Sequence, residues 1–145
     1  MLKRGTRSQA IGRSKGGLTT KILALTDALG NLIRFVVMPG HRFDTVGVTP
    51  LIWDVEFGAL LGDKAFGSNA IIADLDERGA KVVISQHPRT AAPRQIDGEV
   101  CKWRHLIENF FRKLKECKRI AMRSDKTDLS FSAMILITAA VIHSR

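Results

Sequence analysis

The chain has 145 residues, the length of one domain, and its 45% hydrophobic and 26% charged residues argue against wholesale disorder. Its longest apolar stretch, residues 133–142, is too short for a membrane span of about 20 residues, and no apolar signal region follows Met1, so a cytoplasmic protein without a membrane partner is expected. Residues 1–21 and 89–145 each have a net charge of +6, and the residues between them have a net charge of −3. A polyanion such as DNA is the expected partner of these two basic flanks. The alternative is a basic protein that has no particular ligand.

The first part of the chain is predicted to be a flexible segment followed by a β-hairpin. Residues 1–17 are basic and glycine-rich, which is typical of a flexible segment. Residues 18–26 and 32–38 are apolar, and turn-forming residues separate them, so the two runs are expected to pair as a hairpin. Asp44 or Thr45 is then placed to cap a short helix.

Residues 59–85 have the pattern of a strand, a helix and a second strand. A short apolar strand ends at Asp63, Ser68 is placed to cap the helix, and Gly79 is placed to end it. The second strand covers residues 81–85. Because a helix connects the two strands, they are expected to pair in parallel.

The last third of the chain is predicted to be helical. After a loop over residues 87–98, residues 99–119 contain no Pro or Gly and favour one long helix, and residues 130–143 favour a buried helix. Trp53, and Trp103 on the long helix, are expected to be core residues. The hairpin, the strand–helix–strand unit and the packed helices together indicate an α/β domain.

The predicted long helix carries one carboxylate within a stripe of cations. At about 100° per residue, Glu108 lies on the same side of the helix as four basic residues. These are Arg104, Arg112, Lys115 and Arg119. Glu108 makes i,i+4 pairs with Arg104 and Arg112, so ordinary helix stabilisation by a few tenths of a kcal/mol also explains the stripe.

A second carboxylate, Asp63, lies at the carboxyl end of a predicted parallel strand, where open α/β sheets bind their ligands. A strand-end aspartate that caps a loop is the alternative. Together, Asp63 and Glu108 suggest oxygen ligands for a divalent cation such as Mg²⁺, with neighbouring cations for phosphates.

Several segments resemble the bacterial insertion-sequence transposases. Arg104, Glu108 and Lys115, with three and six residues between them, match the last three letters of the family's Y-R-E-K signature. Residues 62–66, Gly-Asp-Lys-Ala-Phe, are similar to the strand end that carries the family's second catalytic aspartate. Residues 12–22 are similar to the opening of the family's second strand, and residues 27–31 to the turn after it. The resemblance extends from about residue 8 to residue 142, and insertion-sequence family five is the closest type.

The resemblance implies an RNase H-like fold of the DDE transposase and integrase type, which cuts DNA and joins its ends by metal-assisted phosphoryl transfer with Mg²⁺ or Mn²⁺. Asp63 corresponds to the second carboxylate and Glu108 to the third, and both would be metal ligands. The implied DNA contacts are Arg104, Lys115, Lys64, Arg112 and Arg119, with sequence-independent affinity from Lys3, Arg4, Arg7, Arg13 and Lys15. The implied partners are the insertion-sequence ends and the target DNA, bound by an oligomer.

Two positions depart from the family pattern. Cys101 stands where the signature has tyrosine, a residue type absent from the chain. The first aspartate of the triad is missing, because no acid precedes Asp27, which is better explained as a turn residue, as Asp44 is as a helix cap. Residues 18–145 are therefore expected to be a partial, N-terminally incomplete catalytic domain. The missing central strand leaves two sheet edges open, and the chain alone is expected to be inactive.

Three functions follow as hypotheses. The first is a transposase fragment, either a frameshift product that acts with an upstream polypeptide or a truncated remnant. The second is a non-catalytic DNA-binding regulator of a full-length transposase, for which DNA affinity would survive the loss of both carboxylates. The third is an RNase H-like nuclease without joining activity, which strand-transfer products would exclude.

Overall fold

A computed structural model describes residues 9–145. The predicted DNA contacts Lys3, Arg4 and Arg7 lie outside these residues. Within the described part, five strands and six α-helices form a mixed α/β architecture, as the sequence predicts.

The first sheet is an antiparallel meander in the order β1-β2-β3. Its strands are β1 (Gly12–Ser14), β2 (Gly17–Thr26) and β3 (Leu32–Pro39). The β2–β3 hairpin and its turn are confirmed, because Asp27 Oδ1 accepts hydrogen bonds from the backbone N–H groups of Leu29 and Asn31, both at 2.9 Å. These bonds, led by that from Asn31, lower the pKa of the Asp27 carboxyl.

The described end of the predicted flexible segment belongs to the fold. Strand β1 pairs with the start of β2, Gly12 opposite Thr19. The Thr20 hydroxyl donates to the Ala10 carbonyl oxygen at 2.8 Å. Paired strand residues therefore lie on both sides of the expected boundary at residue 17.

The predicted helix cap at Asp44 or Thr45 is wrong. A 3₁₀ turn, Asp44–Gly47, leads into α1 (Val48–Ile52), and no side chain caps either element. The Asp44 carboxylate instead accepts from Lys21 Nζ at 2.7 Å. Lys21 lies in β2, far from Asp44 in the sequence, and a capping pattern of neighbouring residues cannot predict such a contact.

The strand–helix–strand unit is confirmed. Strands β4 (Ala59–Gly62) and β5 (Lys81–Ile84) pair in parallel on either side of α2 (Asn69–Glu77) in the chain. Ser68 Oγ accepts from the Ile71 N–H at 3.2 Å. Gly79 has a φ of +67°, and its N–H and that of Ala80 donate to the last helical carbonyls, the arrangement of a Schellman end.

The single long helix predicted over residues 99–119 is wrong. The segment contains α3 (Gly98–Cys101), a 3₁₀ turn (Lys102–Arg104), α4 (His105–Glu116) and α5 (Lys118–Ala121). Extended backbone at Cys117 (ψ 100°) ends α4, and the break accompanies burial of Ile120 in the core with Phe131. Tertiary packing overrides the helical preference of the segment.

Helix α6 (Asp128–His143) starts at the cap Thr127, whose hydroxyl accepts from the Ser130 N–H at 3.2 Å. Only one side of this helix is buried, by Phe131, Ile135 and Ala139, so its prediction as a buried helix is half right.

Apolar side chains cover both faces of the β2–β3 hairpin, since successive residues of a strand point to opposite sides. Leu23 joins a core with α1 and α2, whereas Ile22 joins a second core with α4 and α6. Trp53 and Trp103 belong to neither core and are 67% and 52% exposed, which corrects their prediction as core residues.

The two sheets are separate. β4 and β5 form a two-stranded sheet that is not hydrogen-bonded to the β1–β3 meander. Within residues 9–145, β2 pairs with β1 only from Gly17 to Thr19, so its stretch from Lys21 to Thr26 has one strand partner, β3. No helix in this part of the chain is long and apolar enough to cross a membrane.

Candidate active site

The carboxyl edge of the parallel strands holds the first candidate residue. Asp63 follows β4 directly, is exposed, and accepts from the Lys64 N–H through Oδ1 at 2.6 Å. Ser85 follows β5, and its N–H donates to the Gly62 carbonyl oxygen at 3.3 Å. Because Gly62 lies opposite Ile84, Asp63 and Ser85 leave adjacent strands at the same edge.

The Arg104 guanidinium links this edge to α4. Its Nη1 donates to Ser85 Oγ at 3.3 Å, and its Nη2 donates to Glu108 Oε1 at 3.4 Å. Arg104 ends the 3₁₀ turn before α4, and Glu108 lies in the first turn of that helix. One arginine therefore connects the helix carboxylate with the strand edge that carries Asp63. The sequence analysis missed Ser85, although its place as the last residue of a predicted parallel strand was a usable signal.

The ion pair within this arrangement is weak. Its 3.4 Å separation is long, and 64% of the Glu108 side chain is exposed. Exposed pairs of this kind contribute about 0.2–1 kcal/mol. The guanidinium can therefore exchange Glu108 for another anion at little cost, and the Glu108 carboxylate is accessible to a cation.

Asp63 and Glu108 are the residues that would hold a divalent metal. Carboxylate oxygens are the donors that Mg²⁺ prefers, and one or two of them, with water and substrate phosphates, commonly hold it. The Asp63 and Glu108 side chains supply donors of this chemical type. Across residues 9–145, however, no three His, Cys, Asp or Glu side chains form a group that can hold a metal ion. The site is therefore not a closed protein cage.

Three of the predicted DNA-contacting cations are exposed and unpaired. Lys64 follows Asp63, and Arg112 and Lys115 lie four and seven residues after Glu108 on α4. None of the three forms an ion pair with an acid in the described part of the chain. They are free to neutralise an anionic ligand.

Arg119 is placed differently from the prediction. It lies in α5, beyond the end of α4, and donates to both carboxylate oxygens of Asp125 at 2.6 and 2.9 Å. The projection that placed Arg119 beside Glu108 fails because it assumed one continuous helix. Arg119, followed by the Ser130 hydroxyl, lowers the pKa of the Asp125 carboxyl to about 2.

Comparison with known proteins adds a finding independent of this geometry. A family model described as the transposase DDE domain matches residues 3–142. The chain belongs to the DDE transposase family. It is similar to a protein from Brucella ovis named "Putative transposase for insertion sequence element IS6501", with 32% identity over 130 residues that cover 88% of this chain and 100% of that relative. No solved structure matches the chain.

Membership of the DDE transposase family confirms the resemblance seen in the sequence at the level of an insertion-sequence transposase. The mixed α/β architecture fits an RNase H-like fold. The family typically uses divalent metal, and a transposase would bind DNA. At the position of the signature tyrosine, Cys101 is a half-buried free thiol at the end of α3.

Proposed function

We propose that this chain is the catalytic part of an insertion-sequence transposase of the family-five type, which cuts DNA and joins its ends. Asp63 and Glu108 are two of its three catalytic carboxylates. The observation that carries the proposal is the Arg104 side chain, which contacts both Glu108 and Ser85 and so relates α4 to the strand edge of Asp63.

Cutting and joining are both phosphoryl transfers on DNA. A water or 3′-hydroxyl oxygen forms a bond to phosphorus, and the bond from phosphorus to the 3′ oxygen of the cut strand breaks, its electron pair leaving with that oxygen. Mg²⁺ or Mn²⁺, when bound, would activate the attacking oxygen and stabilise the leaving one. Asp63 and Glu108 would hold the metal.

The cations around the two carboxylates would position the DNA. The weakly paired Arg104 presents a planar fork that suits a phosphate. Lys64 and Lys115, which have no acid partner within residues 9–145, would neutralise neighbouring phosphates. Arg112 adds a further contact from α4. Arg119 would contribute least, because Asp125 already binds it.

The proposal includes inactivity of the chain alone. No acid precedes Asp27 in the sequence, and Asp27 uses its carboxylate to close a turn. The first carboxylate of the triad would come from a strand of a partner, either an upstream frame product or a full-length transposase. The incomplete pairing of β2 and the separation of the two sheets support this, since unpaired strand edges accept an added strand.

The alternative is a non-catalytic DNA-binding regulator or remnant of a transposase. The absence of a three-carboxylate cluster within the described residues favours it. In that case Asp63 and Glu108 are inherited from an active ancestor and have no role, whereas the exposed cations keep theirs.

A complementation assay separates these possibilities. The chain is mixed with a full-length relative in which the two carboxylates equivalent to Asp63 and Glu108 are replaced by amides, on a plasmid that carries insertion-sequence ends, with Mg²⁺ or Mn²⁺. Cut and joined products are expected from the mixture and from neither protein alone. Asp63→Asn or Glu108→Gln in this chain should abolish them. Glu116→Gln, an exposed change at the far end of α4, should not.

Each other result has a definite meaning. Products that survive Asp63→Asn and Glu108→Gln would show that the site is wrongly assigned. Cleavage by the chain alone, lost in Asp63→Asn, would keep the site and overturn the proposed incompleteness. Salt-dependent DNA binding without products in the mixture would favour the regulator. Cutting without joining would favour a nuclease.

A further inference from the structure

Helix α6 exposes an apolar surface that the rest of the described chain does not cover. Of its 16 residues only Asp128 and His143 are titratable. Phe131, Ile135 and Ala139 pack into the core, but the other side is exposed at Leu129 (84%), Leu136 (57%), Ile137 (58%) and Val141 (46%), with the exposed Ala133 and Ala140 between them. A helix that is apolar all round is typical of one buried on all sides.

The exposed residues have the spacing of a helix–helix contact. Leu129, Ala133, Leu136 and Ala140 follow one another at steps of four, three and four positions. This is the repeat of a seam that faces a second helix. The two alanines leave room for close approach of the partner backbone.

We propose that this face pairs with α6 of a second copy of the chain, the two helices running antiparallel. The centre of the face is symmetric about the midpoint between Leu136 and Ile137, so that turning the helix end for end exchanges Ala133 with Ala140 and Leu136 with Ile137. Outside this centre, Leu129 and Val141 come to lie opposite Ser144 and Ser132. A two-fold axis at that midpoint places Ala opposite Ala and Leu opposite Ile. Self-complementary patches of this kind form the interfaces of two-fold dimers, whereas a partner of different sequence does not require the symmetry.

The size and charge of the face suit such a pair. Its exposed side chains present roughly 500 Å² per copy, so a pair buries on the order of 1,000 Å², the lower limit for a specific interface, and a micromolar dissociation constant is expected. No charged residue lies between Asp128 and His143, so the face has no charge that would oppose pairing or attract DNA phosphates. Antiparallel helices also bring opposite ends of their dipoles together.

Sedimentation velocity of the full chain tests the proposal. A species of twice the 16.0 kDa chain mass is expected at micromolar concentration. Leu136→Lys should raise the dissociation constant at least about tenfold. Leu29→Lys, an equally drastic change at an 81% exposed leucine in the β2–β3 turn, should leave it unchanged. Added salt should preserve or strengthen pairing, because each copy has a net charge of +9.

Cysteine cross-linking tests the antiparallel arrangement. In a chain with Cys101→Ser and Cys117→Ser, Leu136→Cys should form an intermolecular disulfide across the axis. Leu129→Cys should not, because its two copies lie about 22 Å apart at opposite ends of the pair. Circular dichroism shows whether each variant is folded.

Several results would overturn the proposal. These are a monomeric wild-type chain at every concentration, equal dissociation by Leu29→Lys, or cross-linking through Leu129→Cys in place of Leu136→Cys. A monomer that binds phosphatidylglycerol vesicles through α6 would assign the face to a membrane surface. Asp63→Asn should leave pairing intact, so this test is independent of the proposed DNA chemistry.

Discussion

Removing the three unpaired cations near the candidate site should flatten the salt dependence of DNA binding. Lys64, Arg112 and Lys115 are exposed and form no ion pair within residues 9–145. Each can therefore neutralise one phosphate and release its counterions. Lys81 is the matched control, because it is also exposed but pairs with Asp97, and it lies at the amino end of β5, away from Asp63.

The size of the effect follows from the number of cations. On duplex DNA each phosphate contact contributes about 0.9 to the slope of log affinity against log salt, so the triple Lys64→Gln, Arg112→Gln, Lys115→Gln variant should lose about 2.7 from that slope. Over a fourfold rise in salt, the wild-type affinity then falls about 40 times further than that of the variant. Fluorescence anisotropy of a labelled duplex, titrated at several salt concentrations, measures both slopes.

Lys81→Gln should retain the wild-type slope. If the triple variant also retained it while folded, as judged by circular dichroism, these cations would not face DNA. If Lys81→Gln flattened the slope as much as the triple variant, the effect would come from net charge and not from the site.

Three further predictions concern the fold. Because Arg119 lowers the pKa of the Asp125 carboxyl from 3.8 to about 2, protonation of this carboxyl favours the unfolded chain, and the free energy of unfolding should fall as the pH drops through that window. Asp125→Asn should remove this part of the acid transition in urea unfolding. An unchanged acid transition would contradict the prediction. Leu114→Ala, at a fully buried position (0% exposed), should lower the free energy of unfolding by about 2–5 kcal/mol. Met122→Ala, at a position that is 80% exposed, should have little effect, and equal losses in the two variants would contradict the described core. Gly79→Ala should cost about 1 kcal/mol in a thermal melt because its φ of +67° disfavours a side chain, and a stabilised variant would contradict the assigned helix end.

The elements predicted correctly are those whose decisive contacts are local. Ser68 caps α2 through an N–H three residues away, and the two N–H donors that close the hairpin turn lie within four residues of Asp27. The place of Asp63 at a strand end follows from the pattern of one strand–helix–strand unit. Such features need only the backbone preferences of a few consecutive residues.

The contacts that the sequence did not predict arise where distant segments meet. Asp44 was expected to cap a helix, but a lysine from β2 binds it. The partner of Arg104 at the strand edge is Ser85, 19 positions earlier in the chain. A local capping pattern or a projection around one helix contains no information about these contacts, because each treats a segment without its neighbours in space.

The sequence by itself determined the family, the parallel strand pair and the positions of the two carboxylates in these elements. Family motifs, strand ends and helix caps are properties of short segments, and they persist whatever surrounds them. Only the tertiary structure decided that α4 ends at Glu116, that Asp125 binds Arg119, and that one face of α6 remains exposed. Each of these depends on which segments share a core, because the free energy gained by burying apolar surface is large enough to override the local preference for one continuous helix.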